Sequence, residues 1–455
     1  MNQSKLLFAA LLVLILLFVL PICALAAYHQ DDIDAMVKIA NDIGLVLDGN
    51  PANWPVTWQS PSSGFDDRII GLYLYGMSGL TGSLDLNTQG IGTGTGLDAL
   101  VHLSCSQTGI TALVGHNSAL QMLECYNTGI TALDPSQYPA LTHLTCFGTG
   151  ITALDVSSNP ALMHLQCHDT NIMALDVGNN PALANLDCHN TGITALDVSN
   201  NPALASLDCH NTGIAALDVS QNLALNGLNC SNTGITALDV GNNPALQVIY
   251  CFSTYITTLD MSQNLAMVVL NCSNTGITAL DVSNNLQLME LRCNNAQLAM
   301  LNLSGCVNLI PFGFTIGGNP LINLITPEGH TIQVDHVGNG TAYIENYLLT
   351  SKTVHFAAVP DSGWNFNQWQ PISPSGLTLS TDPTYLNGIT IVALQSSYVR
   401  AVFVRPSSPT PSRLPSKLPK TGDHFPMGGL LALMVVNLVA LGWVEFWIQR
   451  KRSQV

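Results

Sequence analysis

Cysteine is the reactive residue with the most regular spacing in this 455-residue chain. Ten cysteines fall at 105, 125, 146, 167, 188, 209, 230, 251, 272 and 293, so every interval after the first is 21 residues. The sequence has no Cys-x-x-Cys pair for zinc or redox chemistry. Equivalent Cβ atoms on stacked strands lie about 4.8 Å apart, whereas a disulfide needs roughly 3.8 Å. We therefore predict that these cysteines are buried as small hydrophobic side chains.

Histidine and aspartate cluster beside three successive cysteines of this series. The residues concerned are His164, His168, Asp169, Asp187, His189, Asp208 and His210. Imidazole and carboxylate groups at this spacing suggest a site for a divalent transition metal or a pH-sensitive contact. The alternative is a plain polar contact surface, because duplication of a repeat copies identical neighbours without any chemical requirement. We favour the contact surface and assign neither a metal nor a cofactor.

A second aspartate series follows the same period, at 134, 155, 176, 197, 218, 239, 260 and 281. A column of carboxylates suggests either calcium ligands or turn caps. Aspartate side chains commonly accept a hydrogen bond from the backbone two residues further on. We therefore predict turn caps.

Charge and motif content exclude several classes of function. Residues 100 to 291 contain no Lys or Arg but 13 acidic side chains, a surface that repels nucleic-acid phosphates and anionic membranes. No serine or cysteine is set apart as a nucleophile, and no glycine-rich phosphate loop lies between a strand and a helix. We expect a protein that is not an enzyme and does not bind nucleic acid.

The cysteines belong to a repeat that must position all of these groups. One unit reads Leu183-x-x-Leu186-x-Cys188-x-Asn190-Thr191-Gly192-Ile193-x-x-Leu196-Asp197-Val198 and closes with Asn200-Asn201-Pro202. This unit resembles the 21-residue bacterial leucine-rich repeat in its variant with cysteine at the third strand position. The resemblance covers about residues 69 to 325 and implies a β-rich solenoid with a parallel sheet on its concave face.

The residues of one unit also predict its local structure. Leu186 and Cys188 alternate with polar neighbours, the period of two that marks a short strand with one buried face. We expect Gly192 to adopt a left-handed backbone, as its equivalent Asn171 also permits. A threonine column at 108, 128, 149, 170, 191, 212, 233, 254 and 275 occupies the usual asparagine position. We expect its hydroxyls to bond the adjacent backbone in place of an asparagine ladder.

The array needs caps at both ends, because a terminal coil has only one neighbour. Residues 31 to 44 have helical spacing, with Ile33, Met36, Val37, Ala40 and Ile43 on one face and Gly44 at the end. We predict an amino-terminal cap made of this helix, Trp54, Trp58 and a first strand containing Ile69, Leu72 and Leu74. At the other end, Leu309, Phe312 and Phe314 are predicted to continue the strand register in a last coil without cysteine.

Beyond residue 326 the repeat stops and a small β module is predicted. Thr353 to Ala357 and Tyr398 to Phe403 alternate as strands, and Gly363-Trp364-x-Phe366-x-x-Trp369 lies between them. The segment is similar to the divergent internalin B-repeat family of small β domains, which implies a spacer or an auxiliary binding role. We expect Trp364 and Trp369 to be core residues rather than a ligand cage.

The amino-terminal residues indicate secretion. Lys5, an apolar run from Leu6 to Leu20 and the small residues around Ala24-Leu25-Ala26 together form the pattern of a cleavable signal peptide. A membrane anchor that stays attached is the alternative. We favour the signal peptide.

The carboxy-terminal residues resemble the sortase sorting signal of Gram-positive surface proteins. Leu418-Pro419-Lys420-Thr421-Gly422 precedes an apolar segment at 427–448 and then Arg450-Lys451-Arg452. An apolar stretch of that length spans a bilayer, and the basic residues hold the tail in the cytoplasm. The resemblance implies that sortase cleaves between Thr421 and Gly422 and joins Thr421 covalently to peptidoglycan.

The predicted organisation is therefore that of a secreted protein anchored in the cell wall. We place the signal peptide at 1–26, the cap at 27–68, the solenoid at 69–326, the β module at 327–405, a Pro/Ser-rich linker at 406–417 and the sorting signal at 418–455. We expect the concave face to bind a host or neighbouring-cell protein or glycan in the manner of an adhesin; a structural spacer is the alternative. The predicted binding residues are Tyr126, Phe147, His168, Asp187, His189, Asp208, His210, Tyr250 and Phe252.

Overall fold

A computed structural model describes residues 30–47, 51–59, 68–86, 97–374, 377–382 and 387–406. The predicted signal peptide, the sorting signal with its apolar segment, and all of the linker after Pro406 lie outside these residues. Among the described residues, no helix combines the length and the apolar character needed to cross a bilayer.

The amino-terminal cap contains the predicted helix, Gln30–Ile43. Its inner face buries Ile33, Met36 and Ile43, whereas Val37 is exposed. The helix ends at Gly44, whose φ of +77° favours glycine. The buried Asp32 carboxylate accepts hydrogen bonds from the Arg68 guanidinium at 3.0 Å and from the Ile69 N–H at 2.6 Å. These bonds attach the cap to the first parallel strand.

A thirteen-stranded sheet forms one side of the array. Its first strand, Val56–Gln59, includes Trp58 and pairs antiparallel with the second. The parallel strands are Arg68–Tyr73, His102–Ser104, Met122–Glu124, His143–Thr145, His164–Gln166, Asn185–Asp187, Ser206–Asp208, Gly227–Asn229, Val248–Tyr250, Val269–Asn271, Glu290–Arg292 and Phe314–Thr315. Neighbours pair in register, with Leu186 between Leu165 and Leu207. The fold is a leucine-rich-repeat solenoid, as the sequence predicted.

The interior of each coil is apolar, and the cysteines belong to it. In one coil Leu183, Leu186, Cys188, Ile193 and Val198 are at most 1% exposed. The described cysteines are buried free thiols, which confirms the prediction that they are core residues. Full burial of one aliphatic side chain contributes about 1.5–3 kcal/mol. A single coil has no partner for these groups, so the coils stabilise one another by stacking.

An asparagine ladder runs through the coils, contrary to the expectation that threonine replaces it. The buried ladder comprises Asn159, Asn180, Asn201, Asn222, Asn243, Asn264 and Asn285. Each side-chain amide donates to two carbonyls of the preceding coil; for Asn201 these are Val177 O at 2.9 Å and Asn180 O at 2.8 Å. The threonine hydroxyls bond within their own coil, as Thr191 does to Cys188 O at 2.7 Å. The ladder lies at the closing turn of the coil, not at the threonine position.

The left-handed residue of each coil is not the one predicted. Asn190 has a φ of +52°, and its counterparts in other coils behave alike, whereas Gly192 does not. A Cβ on Gly192 would lie 2.3 Å from Met173 Sδ and 3.4 Å from Ile172 O. Met173 is a flexible, exposed side chain, and 3.4 Å is an ordinary contact. Asn171 and Tyr255 occupy this column in other coils, so it requires neither a left-handed backbone nor glycine. Asn190 takes the left-handed conformation because asparagine tolerates it.

The remaining strands lie outside the long sheet. Thr81–Asp85 pairs with Gly109–Val114. A six-stranded sheet takes the order Ala279–Asp281, Met300–Asn302, Asn323–Ile325, Thr331–Val337, Ser397–Val404 and Asn365–Ser373. A four-stranded sheet takes the order Gly340–Leu348, Thr353–Pro360, Gly388–Val392 and Ser380–Asp382. The six-stranded sheet thus contains strands of the last coils together with strands of the β module. Short 3-10 turns occupy Pro51–Asn53, Pro135–Gln137 and Pro311–Gly313.

The last coil departs from the prediction at one residue. Phe314 replaces leucine in the strand register opposite Leu291 and is buried, as is Leu309. Phe312 was predicted to point inward as well, yet it is 95% exposed. The reason is the 3-10 turn Pro311–Gly313, which interrupts the period of two before the strand begins.

The β module has a small core of aromatic side chains. Trp364 and Trp369 are half-buried and pack against the apolar core, as predicted. The Trp369 indole N–H donates to Asn387 O at 2.8 Å. Its ring lies 6.0 Å from Phe356 and 5.8 Å from Phe366.

Candidate functional site: a column of stacked rings on the concave face

Backbone pairing sets which side chains face outward. Leu186 and Cys188 point into the core, so the residue after each cysteine faces the open side of the sheet. The pairing continues past the strand, because the Asn190 N–H donates to the His210 carbonyl at 3.0 Å. Residues after the cysteine therefore stay in register from coil to coil.

Five rings occupy this position in consecutive coils and stack face to face. The centroid distances are 4.5 Å for Tyr126 and Phe147, 4.3 Å for Phe147 and His168, 4.2 Å for His168 and His189, and 4.3 Å for His189 and His210. The interplanar angles are 11° to 13°. We call these five residues the ring column. Its three inner members, Phe147, His168 and His189, have both faces covered by neighbouring rings, so their rims are what a ligand can reach.

Serine interrupts the series of rings on either side. Ser106 precedes Tyr126 in the register and is fully buried, with its hydroxyl accepting the Tyr126 N–H at 3.1 Å. Ser231 follows His210 and is 1% exposed. A further ring, Tyr75 of the cap region, lies 6.3 Å from Tyr126 at a tilt of 55°. The ring column is therefore a bounded feature of the face.

Carboxylates lie on both sides of the imidazoles. Each Nδ1 is close to one carboxylate oxygen: His168 to Asp169 at 2.9 Å, His189 to Asp187 at 2.5 Å, and His210 to Asp208 at 2.6 Å. The Nε2 atoms face the opposite carboxylates at longer range, His168 to Asp187 at 3.8 Å and His189 to Asp169 at 3.9 Å. The predicted cluster of His168, Asp169, Asp187, His189, Asp208 and His210 is thus brought together.

Side-chain amides hold two of these carboxylates in place. Asn190 donates to Asp169 Oδ1 at 2.8 Å, and Asn211 donates in turn to Asn190 Oδ1 at 2.8 Å. Asn229 donates to Asp208 Oδ2 at 3.1 Å. Hydrogen bonds from His168 and then from Asn190 lower the pKa of Asp169. These asparagines were not among the predicted site residues, although Asn190 and Asn229 each bond a carboxylate of the cluster in the preceding coil.

His164 does not belong to this cluster. It stacks on His143 at 4.3 Å, in the column at the start of the strands. The neighbours of these two rings are a hydroxyl and an amide: His143 Nδ1 lies 2.9 Å from Thr142 Oγ1, and His164 Nδ1 lies 2.7 Å from Asn185 Nδ2. Burial, and then the neighbouring His164, lower the pKa of His143. The fold therefore contains two histidine stacks in different electrostatic surroundings.

Tyr250 and Phe252 lie on the same face but apart from the ring column. Both are half-buried. The coil of Ser231 separates His210 from Phe252, so the two rings are two coils apart, about 10 Å. Ser231 and Ser273 flank Phe252 in the register, so small side chains rather than rings are next to it.

The aspartate series caps turns, as predicted. Each carboxylate accepts the N–H two residues on at 2.8–3.1 Å, as Asp197 does from Ser199 at 2.9 Å. Bonds from the serine N–H and hydroxyl lower the pKa of Asp197. In the core, burial raises the pKa of the Cys188 thiol to about 12. A buried thiol that stays protonated at neutral pH is not a nucleophile.

The similarity of this chain to known proteins is limited to its fold. No protein-family model matches the chain, and no curated protein matches it. The functional domain of InlJ from Listeria monocytogenes, which includes a cysteine ladder, is 24% identical over 71% of this chain and 90% of its own, with a TM-score of 0.34. The internalin InlF of the same species is 18% identical over 55% and 83%, with a TM-score of 0.44. YopM from Yersinia enterocolitica is 19% identical over 54% and 62%, with a TM-score of 0.38. At these identities the likeness is one of fold alone.

Proposed function

We propose that the chain is a non-catalytic surface protein that binds a protein ligand through the concave face of its solenoid. The observation that carries the proposal is the ring column: five rings in register, each of them half-buried. Aromatic side chains that are rigidly held and partly exposed are frequent anchors of protein interfaces. The ligand contacts we propose are the ring column, Asp187, Asp208, Tyr250 and Phe252.

The geometry of the stack favours protein over glycan. The faces of Phe147, His168 and His189 are covered by neighbouring rings, so a sugar has no flat surface on which to lie there. The rims carry the positive edge of each aromatic ring, which attracts carbonyl oxygens such as those of a peptide backbone. The carboxylates beside the histidines favour a ligand whose contacting surface is neutral or basic.

A binding screen with matched variants tests the concave-face assignment. The labelled full chain is applied to an array of purified extracellular proteins and glycans, and each captured component is titrated in solution. Phe147→Ala removes the second of the five stacked rings and should weaken binding at least about tenfold, which is about 1.4 kcal/mol. Tyr255→Ala is the matched control, since Tyr255 is 70% exposed and lies outside the ring column.

Three outcomes contradict the proposal. Equal losses of binding affinity in Phe147→Ala and Tyr255→Ala mean that the ring column contributes no more to binding than an exposed tyrosine outside it. Capture of glycans alone excludes the protein ligand. Capture of no component from a broad array favours the structural spacer, in which the solenoid contributes only length.

We also propose that the chain is secreted and joined to peptidoglycan through Thr421. The support is sequence order: a signal peptide pattern at one end, and Leu418 to Gly422 followed by an apolar segment and basic residues at the other. Expression in a Gram-positive host should give wall-linked protein that only a muramidase releases. Thr421→Ala should shift the protein to the membrane fraction. Wall-linked Thr421→Ala protein contradicts the sortase assignment.

We propose that the β module is a spacer or an auxiliary binding domain of the divergent internalin B-repeat type. The support is its Gly363-Trp364-x-Phe366-x-x-Trp369 pattern and the packing of both tryptophans against the core. A chain lacking 327–405 should keep its affinity for the concave-face ligand if the module is only a spacer. Loss of affinity with an intact solenoid assigns an auxiliary binding role instead.

A further inference from the structure

Two imidazoles of the ring column and one carboxylate beside it form a group of possible metal ligands, which a protein ligand does not require. His168, Asp169 and His189 each offer one ligand atom, and these atoms all lie within 4.8 Å of one another. The Asp169 oxygen is 2.9 Å from His168 Nδ1 and 3.9 Å from His189 Nε2. One carboxylate and two imidazoles are donors that suit borderline divalent transition metals.

We propose that His168, Asp169 and His189 bind one divalent transition-metal ion of the zinc type. The ion lies beside Asp169 Oδ2, on the side of the ring stack opposite Asp187. The protein supplies three ligands, and water completes the coordination, because the Asp169 side chain is 49% exposed. This inference goes beyond the proposed ligand contact and does not depend on it.

Asp187 is the residue that orients the imidazoles toward the ion. It lies 2.5 Å from His189 Nδ1 and 3.8 Å from His168 Nε2, so both rings turn their second nitrogen to one carboxylate. Metal-bound histidines generally donate their other N–H to a carboxylate or carbonyl, which fixes the tautomer. With the His189 Nδ1–H bonded to Asp187, the Nε2 lone pair faces the Asp169 side.

The Asp169 carboxylate is also prepared for this role. Asn190 donates to its Oδ1 at 2.8 Å, and its Oδ2 lies 2.9 Å from His168 Nδ1 on the side where the ion would bind. Two asparagines in succession, Asn190 and Asn211, hold this arrangement from the neighbouring coils.

A tetrahedral site requires the two imidazoles to turn out of the ring stack. Ligand atoms around zinc are roughly 3.3 Å apart, from metal–nitrogen bonds of about 2.0–2.1 Å. The rings of His168 and His189 are 4.2 Å apart at their centroids. Because each lone pair lies in its ring plane and the two planes are nearly parallel, at 12°, the ion requires both side chains to rotate about their χ angles.

The stoichiometry follows from the sharing of His189. A second group, His189, Asp208 and His210, also lies within 4.8 Å. A neutral imidazole has one nitrogen with a free lone pair, and Asp187 occupies the Nδ1 side of His189. His189 therefore serves one ion at a time, and we expect one ion per chain.

Calorimetric titration of the full chain with zinc chloride, without a polyhistidine tag, tests the site. We expect one ion per chain and loss of that binding in His189→Phe, which keeps the ring stack because Phe147 already occupies the same column. His164→Phe is the matched control: it alters the other histidine stack and should leave the affinity unchanged. Asp187→Asn should weaken binding about 10- to 100-fold without abolishing it.

Cobalt substitution reads out the ligand type. A Co²⁺ complex with a visible d–d spectrum but no thiolate charge-transfer band supports nitrogen and oxygen ligands. Three results overturn the site: no zinc binding by the wild-type chain, undiminished binding by His189→Phe, or equal loss from His164→Phe. A thiolate band assigns the metal to the core cysteines and overturns it as well. Circular dichroism of each variant establishes that the fold is retained.

Discussion

Two adjacent asparagines of one coil, Asn200 and Asn201, have opposite surroundings. Asn201 is fully buried and donates to Val177 O and Asn180 O of the preceding coil. Asn200 is exposed. Replacing each in turn by alanine compares a ladder residue with a surface residue of the same type, one position apart. Only the inner substitution should affect the stability of the array.

The magnitude follows from the bonds that are lost. Asn201→Ala removes two hydrogen bonds, each worth about 0.5–1.5 kcal/mol, so the loss is about 1–3 kcal/mol. The lower part of this range is expected for two reasons. Both carbonyls keep a backbone donor, Asn180 N–H at 3.0 Å and Leu183 N–H at 3.0 Å. In addition, the buried Oδ1 of Asn201 has no partner among the described residues, so its removal offsets part of the loss.

Asn201→Asp extends the series. It replaces the donating amide by a second carboxylate oxygen that faces two carbonyl oxygens. A buried charge without a partner costs more than a missing hydrogen bond. We therefore expect the order of destabilisation Asn201→Asp, then Asn201→Ala, then Asn200→Ala, with the last within about 0.5 kcal/mol of wild type.

Equilibrium unfolding in guanidinium chloride with a thiol reductant is the assay. The midpoint multiplied by the slope gives the free energy of unfolding of each variant. Equal effects of Asn200→Ala and Asn201→Ala refute the assignment of the ladder to the inner asparagine. So does an Asn201→Asp variant as stable as the wild type.

Two further predictions concern acid stability and the tight turns. Bonds from the Ser220 N–H and hydroxyl lower the pKa of Asp218 below the ordinary value of an aspartate. Its contribution to stability is therefore present above that ordinary pKa and is lost as the pH falls through the lower pKa of the folded state. Thermal unfolding between pH 5 and 2 should show a falling Tm, with a shallower fall in Asp218→Asn, which keeps the acceptor but does not titrate; an unchanged slope contradicts this. Gly148→Ala should destabilise by more than about 1 kcal/mol, because φ is +63° and the new Cβ would lie 2.1 Å from Asn127 Oδ1. A Cβ on Gly234 would lie 3.6 Å from Ala215 Cβ, an ordinary contact. Gly234→Ala should therefore be neutral or stabilising by about 0.4–1 kcal/mol. Denaturation curves in which Gly234→Ala is less stable than Gly148→Ala would contradict this explanation of the two glycines.

The fold was accessible from the sequence because a period of 21 residues allows few arrangements. Apolar residues that recur at fixed positions must meet when coils stack, so the buried leucines and cysteines follow directly. The ladder was misplaced because the sequence analysis relied on the usual position of asparagine in such repeats. A signal within the chain was present: the ladder position is asparagine in seven successive coils, whereas its exposed neighbour varies among Ser158, Asn200 and Gln221.

The left-handed position had a comparable signal. Tyr255 occupies the glycine column, and a bulky residue is strained at positive φ, so that column does not require a left-handed backbone. The column of Asn190 contains asparagine, aspartate, glycine, serine and glutamine, mostly the types that tolerate such a backbone. Comparison of the two columns would have identified the correct one.

The candidate site was only partly accessible. The column of rings could be read from the residue after each cysteine, and the stacking follows from the spacing of the coils. The positions of the carboxylates relative to the imidazole nitrogens could not be predicted from the sequence, because they depend on side-chain rotation. The same holds for Asn190, whose left-handed backbone brings its amide to Asp169.

Binding through the concave face requires that adjacent residues face opposite ways, with the thiol of Cys188 inward and the imidazole of His189 outward. Brief treatment of the native chain with iodoacetamide and diethyl pyrocarbonate, followed by peptide mass spectrometry, measures both at once. We expect modified histidine at His189 and unmodified cysteine at Cys188, with both modified after denaturation. Alkylation of Cys188 in the native chain, or protection of His189, would contradict the concave face as a binding surface.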